Sequence, residues 1–222
     1  MRRFEEIFAI AADRHGGPAA VEALLPVPKP AAALRAIPAD RWLACMTRCV
    51  FQAGFSWSVI DAKWPGFEAA FHGFDIDWCA GMGEAELDAL LCDSRIVRNG
   101  AKIGAVQANA ALLQALEAQG GAGAVFADWP AADYAGLLAM LKTRGGRLGG
   151  LAGARAMREM GRDGWVLSPD VTARLAAEGV IAGPPTSKKA QAAVQAAFDG
   201  WAAETGRPFA AISRVLALSI DG

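Results

Sequence analysis

Five basic side chains crowd residues 141–161 (LKTRGGRLGGLAGARAMREMG): Lys142, Arg144, Arg147, Arg155 and Arg158, with Glu159 the one opposing charge. At the centre, residues 145–150 (GGRLGG) read as a tight turn between two helices. Glycines there let backbone N–H groups come close to a ligand. The second helix points its N-terminus at the same place, where its dipole favours an anion. A phosphate is the natural occupant, which makes Lys142, Arg144, Gly145, Arg147, Gly149 and Gly150 the candidate phosphate-binding set. The same residues also suit an ordinary helix pair with a solvated basic face.

Two further places hold chemistry. In Ser168-Pro169-Asp170, serine caps a helix, proline suits its first turn and aspartate complements its dipole. Asp170 is therefore either a helix-start residue or a carboxylate held at a site. Cys45 and Cys49, at i and i+4, share a helix face. Zinc takes about four N/S ligands, so this pair alone is half a site, and no metal is expected. Cys79 and Cys92 complete no CxxC pair, and the four clustered cysteines of an iron–sulfur centre are missing, so no cofactor is expected.

The elements that must position these residues are helical. The chain has 222 residues, enough for one large domain or two small lobes. It is 54% hydrophobic, rich in alanine and holds one tyrosine, which favours an all-α fold over a large sheet. The formal net charge of −1 argues against a domain coated with nucleic acid, and leaves room for a local basic patch. No run of about 18 apolar residues is present, so no membrane span is expected. Charges at Arg2, Arg3, Glu5 and Glu6 stand where a signal peptide needs an apolar stretch, so a cytoplasmic location with free thiols is the expectation.

Periodicity and punctuation predict helices that begin near Phe4 and Pro18, a proline-rich extended connector over 26–38, and a strong helix over 40–53. A helix capped by Ser56 is expected to break at Pro65-Gly66. Helices over 84–91 and 101–119 follow, then a flexible break at 120–123. The two hairpin helices, the Ser168 helix, a long helix from Thr186-Ser187 and a last one from Pro208 complete the chain.

Residues 51–57 (FQAGFSW), 71–75 (FHGFD), 95–110 (RIVRNGAKIGAVQANA) and 141–161 occur in an order that resembles the 3-methyladenine DNA glycosylase I family, within the helix-hairpin-helix DNA glycosylase superfamily. The resemblance spans roughly residues 44–160. It implies a two-lobe helix-hairpin-helix glycosylase fold with the cleft between lobes. It makes 141–161 the hairpin that grips the DNA backbone. It makes Trp57 the ring that stacks on a flipped base, and Gln52 a residue that shapes or reads the base pocket. Cys49 stands where the family carries a glutamate that reads the Watson–Crick edge, and a thiol cannot offer a carboxylate. Each has a plainer reading: Trp57 as core, Gln52 as a buried hydrogen-bonding group, Cys49 as a small buried side chain. The family's zinc set, an N-terminal Cys and His with a C-terminal His and Cys, has no counterpart, because cysteines run only from Cys45 to Cys92 and the histidines are His15 and His72.

Residues 168–175 (SPDVTARL) resemble the helix that carries the catalytic aspartate in most of the wider superfamily, an aspartate the 3-methyladenine family generally lacks. The resemblance implies that Asp170 is catalytic. A carboxylate beside C1′ stabilises the positive charge that builds as an N-glycosidic bond breaks. No lysine directly before this segment suggests a Schiff base, so a monofunctional hydrolase is implied. The expectation is a single glycosylase-like unit over 1–222, with an extension over 1–40, a motif-bearing part over 41–130 and a hairpin-bearing part over 131–222. It would act as a monomer on double-stranded DNA and remove a damaged, alkylated purine in base excision repair. Two rivals stay open: a non-catalytic DNA-binding relative, and a helical interaction protein on the same scaffold.

Overall fold

Alanine-rich stretches broken by glycine and proline fold as many short helices. The computed structural model describes residues 1–220. The first helices are α1 (Phe4–Arg14), α2 (Pro18–Glu22), α3 (Ala31–Arg35), α4 (Ala39–Gln52) and α5 (Trp57–Ala70). Next come α6 (Ile76–Ala80), α7 (Glu84–Cys92), α8 (Gly100–Glu117), α9 (Ala122–Asp128) and α10 (Tyr134–Arg144). The last are α11 (Leu151–Glu159), α12 (Pro169–Ala177), α13 (Lys188–Thr205) and α14 (Phe209–Leu218). The described residues contain no strand, so the fold is all-α. No described helix is long and apolar enough to cross a membrane.

Three expectations fail for local reasons. The proline-rich connector contains α3, because Pro30 precedes a run of alanines that are strong helix formers. Pro65 does not break α5 but lies inside it. The ladder loses one N–H there, and a stack of rings holds the helix: Trp64 on Phe67 at 5.5 Å, Trp64 on Phe74 at 5.4 Å and Phe71 on Phe74 at 5.5 Å. The glycines at 120–123 start α9 and pack it. A Cβ on Gly123 would stand 2.7 Å from the Leu34 carbonyl oxygen, so only glycine lets α3 lie this close.

The chain divides into two units that interleave in sequence. Unit 1 comprises Met1–Lys29, Pro130–Gly136 and the chain from Gly161; unit 2 comprises Pro30–Trp129 and Leu137–Met160. In unit 2, α4 is central, with α8, α9 and α11 packed on it. Its Trp42, Leu43, Met46, Val50 and Phe51 are buried, with Trp42 against Phe126 at 4.7 Å and Phe51 edge-on to Phe67 at 4.7 Å.

Unit 1 is built around Trp165, whose ring meets Tyr134 at 4.7 Å, Phe198 at 4.8 Å and Phe209 at 5.3 Å. The Asp163 carboxylate accepts from the N–H groups of Phe209 and Ala210 and so caps α14. Here α12 is fixed by a buried ionic cluster. The Arg174 guanidinium donates to the Ser219 hydroxyl at 2.7 Å, the Ser219 carbonyl at 2.5 Å and Glu178 at 3.2 Å. Glu178 also accepts from the Arg2 N–H at 2.8 Å and the Arg2 guanidinium at 2.7 Å.

Burial raises the Glu178 pKa, but the hydrogen bonds from Arg2 and Arg174 outweigh it and hold the carboxyl below its usual 4.5. A depressed carboxylate stabilises the fold above the unfolded value, and that contribution is lost as pH falls through the folded one. Replacing Glu178 with alanine leaves Arg174 buried without its carboxylate. It is expected to cost about 3 kcal/mol at neutral pH, roughly 6–12 °C in melting temperature. Circular dichroism melts should show that gap narrowing once pH drops below 4.5.

Candidate functional site

The FQAGFSW stretch begins on the last turn of α4, where helix-end carbonyls lack intrahelical partners. Lys102, near the start of α8, supplies them. Its Nζ donates to the carbonyls of Val50 and Ala53, the latter at 2.6 Å. The ammonium also lies over the rings of Phe51 and Phe55, at 5.8 and 5.2 Å. Burial, aided by the Arg147 charge, holds its pKa below the ordinary lysine value. Lys102 is therefore the clamp of the loop that leads to Trp57.

Gln52 is buried, and its Oε1 has no hydrogen-bond partner. An unmet buried acceptor costs free energy. Trp57 opens α5 and is 48% exposed, which excludes the plain-core reading. The Arg155 guanidinium, from α11, sits 5.2 Å from its ring centroid. Sequence spacing places Arg155 beside the hairpin; the fold turns it onto the tryptophan.

The hairpin is held from behind by Asn109 of α8, which is fully buried. Its Oδ1 accepts from the Gly146 N–H at 2.8 Å and its Nδ2 donates to the Gly146 carbonyl at 3.1 Å. A Cβ on Gly146 would stand 2.8 Å from the Ala105 Cα, so this glycine serves contact with α8. Leu148 is buried beneath the turn. Gly150, at φ 59°, is the N-cap of α11 and faces open space, with no side chain capping the helix. The N–H groups of that first turn have no side-chain cap, and such a helix start favours negative charge. Lys142 and Arg144 are exposed and form no ion pair among the described residues. Arg147, at φ 56°, is exposed, and its Nε donates to the Ala101 carbonyl at 3.3 Å.

Cys49 is buried, and the thiols of Cys45 and Cys49 meet the Glu159 carboxylate from α11, all within 4.8 Å of one another. Hydrogen bonding to Cys49, burial and the negative charge of Glu159 push the Cys45 pKa far up. Spacing pairs the cysteines, but nothing in the sequence brings Glu159 to them. The family's zinc set does not fit this chain: the His15 Nε2 is engaged by the Leu218 carbonyl at 3.0 Å, and no cysteine lies within the first 29 residues. Asp170 lies in unit 1, half-buried in the first turn of α12, whose N-cap Ser168 accepts from the Val171 N–H at 3.3 Å. Its carboxylate makes no hydrogen bond or ion pair among the described residues.

An uncapped helix N-terminus, exposed basic side chains and a half-exposed tryptophan thus lie on one all-α unit. Residues 40–131 match the methyladenine glycosylase family, a span that holds the 51–57, 71–75 and 95–110 motifs and not the hairpin over 141–161. Over 69 residues the chain is 36% identical to DNA-3-methyladenine glycosylase 1 of Escherichia coli (strain K12), covering 31% of this chain and 37% of that protein. Over 66 residues it is 36% identical to DNA-3-methyladenine glycosylase of Haemophilus influenzae (strain ATCC 51907 / DSM 11121 / KW20 / Rd), covering 30% and 36%. These alignments span little more than a third of either relative. A crystal structure of 3-methyladenine DNA glycosylase I aligns at 25% identity with a TM-score of 0.49, over 62% of this chain and 82% of that one.

Asn109 is the residue that sequence reasoning passed over, although it lies in the quoted 95–110 block. Asn109→Ala leaves both polar groups of the Gly146 peptide without their partner. It is expected to cost about 2 kcal/mol, roughly 4–8 °C in melting temperature by circular dichroism.

Proposed function

We propose that this protein is a base-excision-repair DNA glycosylase that hydrolyses the N-glycosidic bond of a damaged, alkylated purine of the 3-methyladenine kind. The observation that carries the reading is the methyladenine glycosylase match over residues 40–131, which contains Gln52 and Trp57. Duplex DNA is the substrate, gripped through its phosphates by the first turn of α11 with Lys142, Arg144 and Arg147. The target base leaves the stack and enters the protein. Trp57 stacks on it. The unmet Gln52 oxygen accepts from its exocyclic amine. Cys49 lines the place of the family's glutamate without supplying a charge.

Asp170 is the catalytic carboxylate of this mechanism. The C1′–N bond breaks with its electron pair going to the base, and a cationic alkylated purine leaves neutral. Positive charge grows on the sugar, and Asp170 stabilises it. A water oxygen forms the new bond to C1′, and its proton passes to the carboxylate. The cytoplasmic location expected from the sequence belongs with this reading.

Base release from alkylated duplex DNA tests it. The wild type should release the modified purine, and Asp170→Asn should do so at least roughly 100-fold more slowly. Equal rates would reduce Asp170 to a helix-start residue; no release from any alkylated or otherwise damaged substrate would remove the enzyme reading. The neutral thiol of Cys49 in a glutamate's place favours one alternative, a DNA-binding relative without catalysis. Binding and release separate the two. For the hairpin itself, Arg144→Ala should weaken DNA binding irrespective of sequence and lower the salt slope by about 1, as measured by fluorescence anisotropy across a salt series.

A further inference from the structure

The acidic residue of the hairpin is not used where its charge would lead one to look. Glu159 follows Arg155 and Arg158 on α11, yet forms no ion pair among the described residues. Its carboxylate faces α4, with Oε2 3.8 Å from the Cys45 Sγ. Cys49, one turn along the same face of α4, brings a second, buried sulfur into the group. Three atoms that a metal binds well thus converge from two packed helices, and the only attraction among them is weak thiol hydrogen bonding.

We infer that Cys45, Cys49 and Glu159 form a binding site for a thiophilic divalent cation, zinc being the best fit, with a fourth position left to water. Two ligands at i and i+4 on one helix face are a working spacing for zinc, as in helical histidine pairs. Zinc lies about 2.3 Å from sulfur and 2.0–2.2 Å from oxygen, which puts tetrahedral ligand atoms roughly 3.5–3.8 Å apart. The three atoms here lie within 4.8 Å of one another, so rotation of side chains closes the shell without moving a helix. Thiolate ligands select zinc over magnesium or calcium. On binding, each S–H bond breaks, an S–metal bond forms in its place and the proton goes to the buffer. The exposed Glu159 marks the side on which the water ligand sits. This set contains no histidine and shares no location with the family's terminal Cys/His zinc set. It stands whether or not the protein releases bases.

Cobalt(II) is the probe, added alone to the reduced full-length protein without DNA. A one-to-one complex should give an intense sulfur-to-cobalt charge-transfer band in the near ultraviolet and the visible bands of tetrahedral cobalt, both bleached by zinc. Cys45→Ser and Cys49→Ser should each abolish the two-thiolate spectrum, while Cys92→Ser, at an exposed thiol, should leave it intact. Glu159→Gln, at an exposed position, tests the site without disturbing the core. It should keep the sulfur band and weaken cobalt binding at least roughly tenfold. Absence of the band in the reduced wild type overturns the site, as does a band that survives both cysteine substitutions or vanishes with Cys92→Ser. An affinity unchanged by Glu159→Gln overturns the three-ligand assignment.

Discussion

A helix end leaves carbonyl oxygens without intrahelical partners, and the end of α4 is such a place. Its answer is a buried ammonium. Lys102 bonds two of those carbonyls while its stem and charge lie against Phe51 and Phe55. The loop to Trp57 inherits its position from that clamp, and Gln52 sits on the turn the clamp holds. From the same helix, α8, Asn109 fixes Gly146 of the hairpin. One helix thus sets both the base-facing loop and the phosphate-facing turn, the two parts that must act on the same nucleotide in the glycosylase reading.

Charge is handled locally. The chain is close to neutral, and several arginines are consumed in pairs: Arg35 with Asp128, Arg41 with Glu68, Arg48 with Asp61, Arg207 with Glu22. Exposed pairs of this kind add little stability. Their effect is to cancel field elsewhere, so that the unpaired Lys142 and Arg144 stand out at the mouth of α11. A nearly neutral protein can in this way hold one stretch of backbone without coating itself in nucleic acid.

The helices were legible wherever a stop or a cap is a local matter. Ser168 and Ser187 cap as their sequence neighbours require, and Gly206 ends α13 in the left-handed conformation. The reading failed where tertiary contact decides. Pro65 is tolerated because rings stack across it, and the glycines at 120–123 begin a helix because α3 leans on them. At the candidate site the motifs located Gln52, Trp57 and the hairpin. They did not reveal that Gly146 is committed to α8, that Lys102 is buried, that Arg155 covers Trp57 or that Glu159 reaches the cysteines. Each of these is a contact between segments far apart in the chain, and one sequence carries no record of such pairs.

The interleaving of the two units bears on how the molecule comes into being. α1 buries Phe4, Ile7 and Ala11 and packs on α13 and α14, so helices far apart in the chain close one unit. Unit 2 has all its strands of sequence by Met160 and can close while synthesis continues. The apolar face of α1, by contrast, is closed over in full only once α13 and α14 have been made.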